Sequence, residues 1–364
     1  MINRIRACGE YELVQSKDEC CYQEVLDDFN CANEIYIMTF NISTKNDELI
    51  KLLDNLDNDT EIHFITNIPN RYDAYLGKNN GEYARRRAKD NINYYLRKLD
   101  PGTRENNFNI FFNFDNHSKI IMTENIAFVG SANYSLESSN NYENGFITRD
   151  ANVISQIKEI FIQSVEDDSI RYYGTELAKL EVIFMSFYSQ VEARAKQIEN
   201  SLFWEDERGN SRYYSTSAYI DWADIEEINS IVYDYKEKIL ELEDNDLFIS
   251  LSKEINERNL DNINKLYEDS GSMYDLAMFN EQDYMENYLQ EHLMEAYDEY
   301  LDEYAQNASD LANEERERLA EEAESEVVEF YENIVLFQEQ LLEVLDIIND
   351  MRRKEESNVD NTNN

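Results

Sequence analysis

The hydrophobic rhythm of the chain changes near Tyr172-Tyr173-Gly174. Before that point, short apolar runs alternate with helical patterns. Glu34 to Phe40, Ile62 to Ile68, Phe108 to Phe114, Ile120 to Met122 and Ile126 to Val129 are rich in β-branched, aromatic and aliphatic residues, and their lengths suit strands. Between and around them, Asp18 to Cys31, Asn46-Asp47 to Leu56, Asn80 to Leu99 and about Ala151 to Val165 read as helices. Asp100-Pro101-Gly102 stops the third of these. A last strand is expected at Gly145 to Thr148. Alternation of this kind predicts an α/β sandwich.

Beyond residue 174 the pattern is helical throughout. Both prolines, Pro69 and Pro101, lie earlier, and only Gly209 and Gly271 interrupt the remainder. Helices are expected over about 175–200, 221–242, 247–268, 279–306 and 308–353. In the last, Val327, Phe330, Ile334, Phe337, Leu341, Val344, Ile348 and Met351 follow 3-4 spacing, the seam of a coiled coil. Val328, Tyr331, Val335, Leu342 and Leu345 widen that stripe, so a helical bundle fits equally. Glu314 to Glu326 is almost wholly charged and is not expected in a deep core. The expected organisation is an α/β domain over 1–172, an acidic all-α domain over 173–354 and a disordered tail over 355–364.

Charge sharpens this division. The net charge is -44, and residues 1–170 hold 17 Lys+Arg and 28 Asp+Glu, against 16 and 49 in the remaining 194. Phosphate binding depends on cationic contacts, so the second half should repel nucleic acid. One basic island, Arg71 to Arg104, carries nine bases against four acids. Arg85, Arg86, Arg87, Lys89, Arg97 and Lys98 are its candidate phosphate contacts, with Tyr83, Tyr94 and Tyr95 available to stack on bases. A solvated helix face explains the island equally well. No apolar run at the start suggests a signal peptide, and none elsewhere approaches the roughly 20 residues that span a bilayer, so a soluble cytoplasmic protein without membrane contacts is expected. Cys8, Cys20, Cys21 and Cys31 form no C-x-x-C pair, so buried free thiols are expected rather than a zinc site.

The candidate chemistry lies in one stretch. His117-Ser118-Lys119 is followed by Glu124 and then by Gly130-Ser131-Ala132-Asn133, and the chain has only 3 histidines. Residues i and i+2 of an extended chain point the same way, so His117 and Lys119 should project into one site. Gly130-Ser131 ends an apolar run and can deliver a hydroxyl and a carboxamide to the same rim. An imidazole, an ammonium, a hydroxyl and an amide together suit a phosphodiester.

These residues resemble the phospholipase D superfamily motif, HxK, four residues, Asp, then GSxN. Here the acid is Glu124, and five residues rather than six separate it from Gly130. Tyr142-Glu143-Asn144-Gly145-Phe146-Ile147 looks like the family's second acidic strand start. The resemblance covers roughly residues 30 to 150 and implies a mixed sheet covered by helices. It also implies that His117 is the nucleophile of a phosphohistidine mechanism. Lys119, Ser131 and Asn133 would hold the phosphate oxygens, and Glu143, together with Glu124, would orient the imidazole. Neither His63 nor His292 sits in a second motif, and each reads as a structural residue. The single motif therefore implies a homodimer through the catalytic domain, in which two copies of His117 meet. No metal or other cofactor is implied.

The expected activity is a metal-independent nuclease acting on DNA or RNA, and analogy extends this to a bacterial defence effector. Two alternatives stay open: a phospholipid or other phosphodiester hydrolase, and a non-catalytic interaction protein with a vestigial site. The acidic half has three candidate roles: bracing a dimer, docking a basic partner protein, or shielding the site until a trigger removes it.

Overall fold

A computed structural model describes residues 2–8, 11–68, 91–205, 212–245, 248–257, 271–293 and 301–362. They fall into two compact units. One holds the residues up to Ser186 together with those from Ile348 onward, and the other runs from Phe187 to Ile347.

The first unit is built on a mixed nine-stranded sheet of order β1-β2-β8-β7-β6-β3-β4-β5-β9. Its strands are β1 (Ile2–Cys8), β2 (Tyr11–Ser16), β3 (Glu34–Thr39), β4 (Glu61–Thr66), β5 (Asn107–Phe112), β6 (Ile120–Thr123), β7 (Ala127–Gly130), β8 (Glu143–Thr148) and β9 (Ile170–Tyr172). Strands β3, β4 and β5 run parallel, and the other neighbours pair antiparallel. The expected mixed sheet covered by helices is the fold observed.

Alternation along the central strands explains the layers. Ile35 and Ile37 of β3, Ile62 and Phe64 of β4 and Ile110 of β5 point to one face. There they pack with Val25 and Leu26 of α1 (Gln23–Asp28), Leu49 and Leu53 of α2 (Glu48–Asp54) and Ile92 and Leu96 of α3 (91–98). Tyr36, Met38, Ile65 and Phe111 point to the other, against Ile154 of α4 (Ala151–Gln156) and Ile157 and Ile162 of the π-helical segment that follows it. Each fully buried Ile or Phe of this kind contributes about 1.5–3 kcal/mol relative to an exposed one. The helix expected from Ala151 to Val165 is thus α-helix, a π turn, then α5 (Gln163–Asp167).

Strands β1, β2 and β9 were not among the sequence expectations. In β1 and β2 polar residues interrupt the apolar ones, so no apolar run exceeds two residues. The helix expected from Asp18 is short and starts at Gln23. Of the helix expected from Asn80, residues 80–90 lie outside the described residues. Cys20, Cys21 and Cys31 are free thiols, but Cys31 is exposed rather than buried.

The second unit is largely helical: the greater part of α6 (Glu176–Leu202), then α7 (Trp222–Glu243), α8 (Ile249–Glu257), α9 (Ser272–Met278), α10 (Glu281–Leu293) and most of α11 (Leu301–Thr362). A hairpin of β10 (Phe203–Glu205) and β11 (Arg212–Tyr214), absent from the sequence expectations, follows α6. In α7, Ile225, Ile228, Ile231, Val232, Tyr235, Ile239 and Leu242 form one buried stripe. Half-buried Arg194 joins Asp224 to Glu227.

The 3-4 stripe of α11 is buried from Val327 to Ile348, and Phe337 meets Tyr235 edge to face at 5.3 Å. The stripe is therefore covered at that point by this chain's own α7. Leu342, placed in the stripe by spacing, is 43% exposed. The expected break between 306 and 308 is absent, because that stretch contains neither proline nor glycine and α11 runs through it. The helix also continues through Thr362, past the boundary at 355. The charged stretch from Glu314 still buries Leu319, Ala320 and Ala323, since its charges occupy the other positions.

Candidate active site

The sheet brings four strand ends to one rim. Because β6 runs antiparallel to β3, with Met38 opposite Ile120, the segment entering β6 lies beside the end of β3. Because β7 and β8 are antiparallel to each other, the end of β7 and the start of β8 share that rim, with Gly130 opposite Gly145. His117 and Lys119 enter β6, Gly130-Ser131 leaves β7, Glu143 begins β8, and Thr39-Phe40 leaves β3.

Lys119 Nζ lies 3.2 Å from Nδ1 of His117 and donates to the His117 carbonyl oxygen. The imidazole is exposed and packs on the Phe40 ring, centroid to centroid 4.8 Å, while the Lys119 ammonium sits 5.3 Å from the same ring. Burial lowers the Lys119 pKa below its ordinary value, opposed by the nearby Glu143 carboxylate. Ser131 Oγ donates to Glu143 Oε2, and Asn144 N donates back to Ser131 Oγ at 3.0 Å. Gly130 N donates to the Lys119 carbonyl at 3.2 Å, which ties the two halves of the motif together. Glycine is needed at 130 and 145 because the Phe128 ring lies against both, and a β-carbon at either would collide with it.

Asn133 is held beside this cluster. Its carbonyl accepts from Tyr22 Oη at 3.0 Å, its N–H donates to Ser138 Oγ at 3.1 Å, and its Oδ1 lies 3.4 Å from Thr39 Oγ1. Thr39 and Asn116 form the seat that sequence spacing did not reveal. Asn116 is buried, donates to the Thr39 carbonyl at 2.9 Å and accepts the Ser118 N–H at 3.0 Å. It thus fixes the backbone that presents His117. The available signal was weak: a polar Asn113-Phe114-Asp115-Asn116 turn between two apolar runs, and an aromatic closing β3.

Glu124 is not brought to this rim. It follows β6 at the opposite end of the sheet, and its carboxylate accepts Asn33 N at 2.9 Å, Asn33 Nδ2 at 3.0 Å and Glu34 N at 3.2 Å. Burial pushes its pKa up, but those donors outweigh it and hold the carboxyl below its ordinary value. The reason is geometric. Seven residues of near-extended chain cover roughly 20 Å, so His117 and Glu124 stand at opposite ends of one strand. Glu124 anchors the start of β3 and does not orient the imidazole.

The basic island divides. Arg85, Arg86, Arg87 and Lys89, with Tyr83, lie outside the described residues. Arg97 is exposed and 5.9 Å from the Tyr94 ring centroid. Lys98 is instead enclosed, paired with Asp47 at 2.7 Å and donating to the carbonyls of Ser43 and Asn46 at 2.7 and 2.9 Å. Tyr95 is buried, accepting the Ile42 N–H through its hydroxyl. Lys98 and Tyr95 therefore hold the loop before α2, and neither reaches a phosphate or a base.

The other histidines are placed in packing roles. His63 Nδ1 meets Glu166 at 2.6 Å and Nε2 meets Glu61 at 3.0 Å, with the ring against Tyr36 and Phe111. Burial would lower its pKa, but the two carboxylates win and raise it. His292 Nδ1 meets the Tyr288 carbonyl at 2.8 Å within α10.

Comparison with known proteins finds one family model matching part of the chain and distant likenesses among solved structures. The family described as "Cardiolipin synthase, PLD-like domain" matches residues 29–165. No curated protein matches the chain. Among solved structures, the phospholipase D family member Nuc from Salmonella typhimurium is 14% identical, with 44% of this chain and 97% of that one covered and a TM-score of 0.32. NucT from Helicobacter pylori is 14% identical, with 45% and 100% covered and a TM-score of 0.30. The archaeal chromatin protein TrmBL2 is 16% identical, with 44% and 53% covered and a TM-score of 0.26.

Proposed function

Residues 29–165 belong to the phospholipase D-like superfamily, and from that premise we propose that the protein is a metal-independent phosphodiester hydrolase acting on nucleic acid. The observation that carries this reading is the exposed His117 imidazole with the Lys119 ammonium 3.2 Å from its Nδ1, beside the Ser131–Glu143 pair. A neutral imidazole can attack phosphorus and divide one displacement into two.

In the free site an ammonium on Nδ1 leaves the imidazole proton on Nε2. A bound phosphate draws the Lys119 ammonium to its non-bridging oxygens, Nδ1 takes up the proton, and the Nε2 lone pair is released. Nε2 then forms the bond to phosphorus while the bond to the leaving oxygen breaks. A second imidazole protonates that oxygen and afterwards takes a proton from the water that cleaves the phosphohistidine. That second imidazole is His117 of another copy of the chain, since His63 and His292 are committed to packing. Lys119, Ser131 and Asn133 stabilise the charge on the phosphoryl oxygens. Glu143 sets the Ser131 hydroxyl and sustains the Lys119 charge.

The test is cleavage of labelled single- and double-stranded DNA and RNA in EDTA by the full chain and by His117→Ala. Cutting by the wild type alone supports the reading. Cutting by both proteins, or only on addition of a divalent metal, overturns it.

A second reading follows from the matching family's description, which names cardiolipin synthase, so a lipid phosphodiester is the competing substrate. Among the described residues no helix is long and apolar enough to cross a membrane. Release of product from phosphatidylglycerol vesicles, with no cleavage of any nucleic acid, selects that reading.

A further inference from the structure

The helical unit contains a cavity of about 820 Å³ between the start of α7 and the α9–α10 corner, with Arg316 of α11 on its wall. Its apolar lining is aromatic and thioether rather than aliphatic alone: Trp222, Phe279, Met278 and Met285 contribute, with Tyr219 at the edge. Met278 is 51% exposed and Tyr219 48% exposed, so the lining is open to solvent. Five carboxylates stand around it, Asp221, Glu226, Glu281, Asp283 and Glu286, against one guanidinium.

The chemistry of this wall is already visible within the chain. Arg316 Nη1 pairs with Glu281 Oε1, so one carboxylate of the set holds an arginine. Asp221 is occupied in capping α7 through the Ala223 N–H at 2.9 Å, and Glu286 accepts from Gln282 at 3.0 Å. Glu226 and Asp283 are exposed, and among the described residues their carboxylates accept no hydrogen bond and form no ion pair. Aromatic faces attract cations, and methionine adapts to irregular partners. A volume of this size exceeds a single side chain and suits a short segment.

We infer that this cavity is a docking site for a basic segment of a partner protein, with an arginine or lysine side chain laid over the Trp222–Phe279 lining and its charge met by Glu226 and Asp283. Charge complementarity selects this occupant. A nucleic acid or an acidic peptide would meet an excess of like charge, and a purely apolar segment would leave the carboxylates unmatched while desolvating them. The docking does not depend on whether the sheet domain cleaves a phosphodiester.

The experiment is fluorescence anisotropy of a labelled peptide alternating arginine with leucine and glycine, titrated with the full chain at near-physiological salt. A variant carrying Glu226→Gln and Asp283→Asn is compared with a control carrying Glu317→Gln and Glu321→Gln on the exposed face of α11, which removes the same charge elsewhere. The expected result is saturable binding weakened by roughly tenfold in the cavity variant and unchanged in the control. Equal weakening by the cavity and control variants would mean diffuse attraction to an acidic protein and would overturn the proposal. So would absence of saturable binding by the wild type. None of these exposed substitutions removes a core contact, and circular dichroism verifies that each variant is folded.

Discussion

Lys119 Nζ stands 3.2 Å from His117 Nδ1 while donating to the carbonyl of the same residue, so the cation proposed to meet the phosphate rests on the proposed nucleophile. Removing it should cost catalysis and leave the sheet intact, because the side chain lies at the rim. Lys119→Ala is expected to lower kcat by about 10²–10³ while the urea midpoint stays close to wild type. Lys119→Arg should recover only part of the loss, since a planar guanidinium cannot occupy both positions. Single-turnover cleavage rates and urea melts check both.

Glu143 opposes the burial that lowers the Lys119 pKa. Glu143→Gln removes that opposition, so the Lys119 pKa falls further and its ammonium is lost at lower pH. The alkaline limb of the pH–rate profile should therefore move to lower pH in this variant, and the maximum rate should fall. A full pH profile of wild type and variant decides this. An unmoved limb would separate Glu143 from Lys119.

Glu124 anchors the start of β3, away from the chemistry. Glu124→Gln is expected to lower stability by about 1–2 kcal/mol, through weakened hydrogen bonds to a carboxylate, with kcat unchanged. Urea denaturation together with a cleavage assay distinguishes this from a catalytic role.

His63 is held between Glu166 and Glu61, and its pKa is raised despite burial. A raised histidine contributes stability that is fully present below the unfolded value of about 6.5 and is lost as pH rises through the folded value. The deficit of His63→Phe relative to wild type should accordingly be larger at about pH 6 than at about pH 9. Paired urea melts at the two pH values measure it.

A two-histidine site made from two copies predicts a dominant effect of dead subunits. Mixing wild type with an equal amount of His117→Ala, with time for exchange, should reduce activity per wild-type subunit by about half. Activity that ignores the added variant would place the whole mechanism within one chain.

Much of this molecule was legible in sequence. The central strands announced themselves because β3 to β7 are apolar runs, and His117, Lys119, Ser131 and Glu143 do share one rim. What failed was whatever linear spacing cannot encode. Glu124 looks adjacent to the motif, yet an extended strand carries it to the other end of the sheet. Lys98 counts as a base in a basic island, yet it is consumed by Asp47 and two carbonyls. Thr39 and Phe40 reach the site only because β3 lies beside β6, a pairing between residues far apart in the chain, and it is that pairing which gives the neighbouring Asn116 its partner, the Thr39 carbonyl. The β2 strand carries no such signal, because its only adjacent apolar pair, Leu13-Val14, is flanked by Glu12 and by Gln15-Ser16.

The most direct measurement is covalent capture. The full chain is quenched with alkali during turnover of an oligonucleotide carrying radiolabelled phosphates, digested, and the labelled peptide sequenced. A phosphohistidine route predicts an acid-labile, alkali-stable label on the peptide bearing His117, absent from His117→Asn. Label on a different residue, or undiminished cleavage by His117→Asn, would contradict it.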